Sequence, residues 1–189
     1  ALFVSVVIIN AMTNSACAVD RTWSGNGTNN LVTTGANWVG GVAPTGSNVD
    51  AVFFAGSTRL TPDWNLTNAN PMQAVTFNSG AGAFNVNITG QLDVVSGITN
   101  NSTNAQAFSG PVVLRFSGSP TINAASGNLS FSSLGYNSTN DTVTFTGAHA
   151  ITIGNGVNMG TGANGKQFVK TGTGTLFFNG SAGGTVDPA

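Results

Sequence analysis

The residues of this chain that could do chemistry are few and far apart. Its acids are six aspartates, Asp20, Asp50, Asp63, Asp93, Asp141 and Asp187, with no glutamate, and no two lie closer in sequence than thirteen residues. Carbohydrate cleavage in β-rich repeat proteins calls for aspartate pairs, or for Ca²⁺ held by several carboxylates beside a basic residue. The chain contains no D-D, D-x-D or G-H-G. Adjacent coils of a repetitive fold could still bring two distant aspartates together. The single histidine, His149, sits in G-A-H-A at a turn, without the sequence partner its proton chemistry needs, and reads as solvent-facing or locally hydrogen-bonded. The residues therefore point to no catalytic constellation, no metal site and no cofactor, and the chain reads as something other than an enzyme.

Trp23, Trp38, Trp64 and Tyr136 form the other chemically useful set, because aromatic faces stack well on sugar rings. They make surface glycans a partner class to consider. Burial in a core or cap is the stronger reading for the tryptophans, since large aromatics mostly supply buried area. Asp50, just before the strand-like Ala51-Val52-Phe53-Phe54, reads as a turn or strand-start residue that accepts backbone N–H groups. Only 6% of the residues are charged and the formal net charge is −1, so no polyanion is attracted and nucleic acid is excluded as a partner. A GGTVD run at 183–187 lacks one glycine of the Ca²⁺-binding nonapeptide repeat and occurs once, whereas that motif works by ladder repetition.

The elements that must position these residues are strands. Twenty-six glycines with abundant Asn, Thr and Ser, and almost no Lys or Arg, favour turns and strands over helices, so the fold class is all-β. Apolar alternations centre near Phe77, Val86, Val94, Val113, Ile122, Phe131, Val143, Ile151, Val169 and Phe177. Gaps are mostly of about eight residues, and three such segments make a coil of roughly twenty-four, within the period of solenoids. A parallel β-helix or solenoid is favoured; an antiparallel β-sandwich or jelly roll is the alternative, because it too spaces strands at about 8–12 residues. In the solenoid reading Phe145 and Ile153 point inward, while Thr142, Thr144, Thr146 and Thr152 point outward. Residues 19–72, rich in Trp, form an N-terminal cap, and residues 73–189 carry the solenoid repeats. Only eleven residues follow the apolar Leu176-Phe177-Phe178, so further repeats are expected beyond Ala189, with end-to-end self-association of this piece alone.

The first nine residues, ALFVSVVII, match the apolar core of a secretion signal and are too short to span a bilayer as a helix. Ala16 and Ala18 follow as an A-x-A pattern, which places cleavage before Val19 and makes 1–18 a signal peptide without its basic n-region. A strand is the competing reading of this stretch, and Cys17 offers a lipidation alternative in which Asn14 stands where Leu is usual. Cleavage before Val19 leaves a mature chain without cysteine, hence without disulfides, and without a membrane span.

Two motifs carry a family resemblance. The pattern W-x-G, N-W-x-G-G-x-x-P and D-x-V-F-F, at Trp23, Asn37 to Pro44 and Asp50 to Phe54, resembles the N-terminal region of large secreted bacterial proteins with autotransporter-associated β-strand repeats. The run KTGTGTLFFNGS at 170–181 is similar to the repeat itself, with Phe178 where the family mostly has Leu. The resemblance implies a passenger-type β-helix, secreted or displayed at the bacterial cell surface and held there through a C-terminal region not in this chain. It implies a structural or adhesive role, with a glycan-binding or glycan-degrading β-helix as the alternative.

Overall fold

The computed structural model describes residues 19–46, 50–67, 71–114, 119–136, 142–155, 157–158 and 167–180. Apolar residues alternate with Thr, Ser and Asn along short segments, and each segment becomes a strand with one face in a common core. The strands are β1 (Asp20–Trp23), β2 (Ala51–Phe54), β3 (Asp63–Trp64), β4 (Met72–Phe77), β5 (Asn85–Ile88), β6 (Leu92–Asn100) and β7 (Gln106–Leu114). They continue with β8 (Thr121–Ala124), β9 (Leu129–Tyr136), β10 (Thr142–Gly147), β11 (Ile151–Ile153), β12 (Val157–Asn158), β13 (Gln167–Lys170) and β14 (Leu176–Phe178). Two single 3₁₀ turns, Gly35–Asn37 and Val39–Gly41, are the helical content among the described residues.

Among the described residues every strand-to-strand pairing is parallel. An antiparallel sandwich or jelly roll is thereby excluded, and the architecture is a parallel β-solenoid of about four turns. Ala51 lies beside Ala74 and Ala74 beside Gly97, a step of about 23 residues per coil. The chain winds through three ladders. One stacks β1, β2, β4, the second half of β6, β8, β10 and β13. Another stacks β3, β5, the first halves of β7 and β9, then β11 and β14. The third joins the first half of β6 to the second halves of β7 and β9 and to β12.

Stacking identical positions turns each inward residue into a column. Val52, Val75, Ile98, Ile122 and Phe145 follow one another up the first ladder and are all buried. In the second ladder Phe108 and Phe131 stack with centroids 5.1 Å apart and planes 1° from parallel. Each such side chain contributes roughly 1.5–3 kcal/mol by leaving water. Val143, Phe145, Ile151 and Ile153 are buried and Thr142, Thr144, Thr146 and Thr152 half-buried, as the alternation predicts.

The ladder starts early in the chain. Within the segment 19–72, β1 and β2 already lie in register with β4, so this stretch contributes rungs as well as covering structure. Its covering part is Asn37-Trp38: the Asn37 carbonyl accepts the N–H groups of Ser24 and Gly25 at 2.7 and 3.1 Å, and Trp38 forms an antiparallel bridge with Trp23 on the side of β1 away from β2. At the other end the expected centres Val169 and Phe177 are exposed, and Phe168, Leu176 and Phe178 take the core-facing positions instead. The inward positions there flank the segment centres read from the sequence, with Phe168 beside Val143 and Phe178 beside Ile153. Residues 1–18, with Ala16 and Ala18, lie outside the described residues; Val19 is the first described and is partly exposed. No helix among the described residues is long and apolar enough to cross a membrane.

Candidate functional site

All three tryptophans are core residues. Trp23, Trp38 and Trp64 are no more than 2% exposed, and their indole N–H groups donate to the carbonyls of Thr58, Val32 and Gln91. Trp23 meets Trp38 edge to face at 5.2 Å, and both lean on Phe54. Their faces are covered by protein, so no sugar ring can stack on them, in keeping with the packing role weighed from sequence. Tyr136 ends β9, and its side chain lies outside the described residues.

The aspartates are equally dispersed. Asp50 is buried; it accepts hydrogen bonds from the backbone N–H and hydroxyl of Thr45 and lies 3.8 Å from the Arg21 guanidinium, the strand-start role its position suggested. Asp93 is buried and accepts from the Gln91 amide. In the ladders Asp20 stands beside Ala51, Asp63 beside Asn87 and Asp93 beside Val113, so stacking brings no second acid onto any of them. Asp141 and Asp187, and the GGTVD run, lie outside the described residues. Among the described residues no group of three His, Cys, Asp or Glu is placed to hold a metal ion. His149 is exposed at the edge of a crevice of about 10 Å³ that Lys170 also borders, room for one water at most. The Lys170 ammonium donates to the Gly172 carbonyl at 2.6 Å.

A cleft of about 570 Å³ with convergent polar groups lies on the outer side of the second ladder. Its floor follows from strand alternation. In N-V-N-I of β5, Val86 and Ile88 enter the core, which turns Asn85 and Asn87 to solvent; β3 likewise buries Trp64 and turns Asp63 outward, and β7 buries Phe108 and turns Ser109 outward. Asp63, Asn87 and Ser109 are ladder neighbours and form a polar row at the rung spacing of about 4.8 Å.

The wall of the cleft is a loop held from inside. The buried Asn37 amide donates to the carbonyls of Asn29 and Leu31 and accepts from the Gly27 N–H. The loop then bonds to β3 through Val32 N–H to the Asp63 carbonyl and Asp63 N–H to the Asn30 carbonyl. Arg59, which adopts φ 50°, donates from Nη1 to the Asn30 side chain at 3.1 Å, and the Asn30 amide donates to the Thr61 hydroxyl at 3.1 Å. On the floor, Ser109 donates to the Asn85 side-chain oxygen Oδ1 at 2.7 Å and Thr89 donates to the Asp63 carboxylate. These bonds leave the Asn85 amide donors and the whole Asn87 side-chain amide pointing to solvent without a protein partner among the described residues.

Sequence reasoning missed Asn30, Asn85, Asn87 and Ser109 as members of one surface. The N-x-N alternation was visible; which rungs lie side by side depended on the coil register. No family model, curated protein or solved structure matches the chain.

Proposed function

We propose that this chain is a structural and adhesive extracellular module, the beginning of a rod-like passenger carried at a bacterial surface or released from it. The observation that supports the reading best is the stack of parallel ladders, one running from β1 to β13 and another from β3 to β14: coils bonded only to their neighbours lengthen into a rod without changing its cross-section. The outward positions are mostly uncharged Thr, Ser and Asn, which gives a surface suited to broad, weak contact. The autotransporter-type repeat resemblance of 170–181 and the secretion-signal pattern of 1–18 belong to the same proposal. Its partners are surface glycans or other cell-surface material, and a second copy of the chain end to end.

The test displays the chain on a non-adherent bacterium through a heterologous barrel anchor and scores attachment to host or abiotic surfaces. Attachment above the empty anchor supports the proposal; equal attachment overturns it. Export from a precursor with a complete signal is expected to yield Val19 as the first residue by mass spectrometry, and retention of 1–18 would remove the signal-peptide part.

A further inference from the structure

We infer that the cleft over β3, β5 and β7 is a binding site for a neutral, hydroxyl-rich polymer, a polysaccharide segment lying across the rungs. The inference rests on the adhesive reading and names the ligand of one surface. Three features of the cleft favour that class. Its polar groups are amides and hydroxyls, with a single carboxylate, Asp63, that already accepts from Thr89, so an ion of either sign meets no concentrated counter-charge. Amides both donate and accept, as sugar hydroxyls do, and the Asn87 amide is presented with both functions open. Finally, the groups are held in place before any ligand arrives: the floor is strand backbone, and Asn30 is fixed between Arg59 and Thr61.

The volume, about 570 Å³, falls within the range of ligand clefts of ~300–1,000 Å³. The lack of an aromatic platform among its lining residues sets the strength. Binding relies on hydrogen bonds exchanged with water, each of modest net worth, so a single short sugar binds weakly and a long chain gains by repeated engagement. Arg59 and Asn37 act as positioning residues, one holding the Asn30 side chain and the other the loop that carries it.

The 189-residue chain is run in native affinity gels containing dextran, galactomannan or xyloglucan, with polygalacturonate as the polyanion. The comparison protein carries Asn85→Ala and Asn87→Ala, both solvent-facing, and Thr144→Ala on the first ladder is the control. Retardation by at least one neutral polysaccharide is expected, with the association constant falling about 25-fold in the double variant, about fivefold per amide, and unchanged by the control. Matched thermal midpoints show that the variants fold. No retardation in any neutral gel, retardation by polygalacturonate alone, or equal retardation of the double variant overturns the inference. If displayed chain still confers attachment in that case, the adhesive reading stands and the cleft assignment alone falls.

Discussion

Phe145 and Thr144 are neighbours in sequence with opposite fates, and the difference is one of register alone. Phe145 is 1% exposed between Ile122 and the aromatic pair Phe168 and Phe178, whereas Thr144 is half-buried on the outer side of the same strand. Aspartate at 145 or 153 places an unpaired charge in the core and is expected to cost several kcal/mol, while Thr144→Asp changes stability by about 0.5 kcal/mol or less. Urea unfolding of the three variants checks this; similar losses for all would mean that the alternation faces the other way. Asn37 illustrates a residue whose importance is invisible to periodicity. Its amide satisfies the Gly27 N–H and two loop carbonyls in a buried setting, so Asn37→Ala leaves those groups without partners and is expected to cost about 2–4 kcal/mol. The same measurement reads the loss, and an effect under about 0.5 kcal/mol would show that water replaces the amide at no penalty.

At the scale of the element, the solenoid depends on strands that bend without breaking. β6 and β7 each serve two ladders, and the bends fall at Gly97 with φ 137° and Gly110 with φ 113°. A Cβ on Gly97 would stand 2.0 Å from the Thr121 carbonyl oxygen of the next coil, so the glycine is required by both conformation and space. Gly97→Ala is expected to destabilise by more than about 2 kcal/mol, with a folded fraction measurable by circular dichroism, and an unchanged denaturation midpoint would refute the close approach. These two bends also explain where the sequence was hard to read. The class, the parallel winding and the coil length were legible because Val75, Val86 and Val143 recur with Gly, Asn and Ser between them. The rungs Ile98 and Phe108 were passed over, since each nine-residue strand runs on through its corner at Ser96-Gly97 or Ser109-Gly110-Pro111 and only its other half was counted as an apolar segment. The cleft was illegible for a related reason. Asp63, Asn87 and Ser109 become neighbours only through the register of three coils, and that register is set by core volume and corner geometry rather than by any local motif.

The two ends of the described ladders differ, and the difference restricts how copies of this chain can join. At the first end, Trp38 bridges the outer side of β1 and Leu31 the outer side of β3, so the first and second ladders are covered there. At the last end β13 pairs with β10 and β14 with β11, and among the described residues neither strand has a partner on its other side. Phe168, Leu176 and Phe178 there are only partly buried against the core. Head-to-tail growth needs two open ends and would give fibres, whereas one open end permits only a closed, two-fold arrangement. Self-association of this chain is therefore expected to join the β13 and β14 ends of two copies and to stop at a dimer, which narrows the end-to-end assembly expected from sequence. Val169, exposed on β13, is the place to test it, because a lysine on an edge strand opposes pairing without entering the core. Sedimentation velocity over a concentration series should show a monomer–dimer equilibrium for the native chain and a shift toward monomer for Val169→Lys. Species that keep growing with concentration would mean that the Trp38 and Leu31 cover opens, and that both ends of the ladder are available.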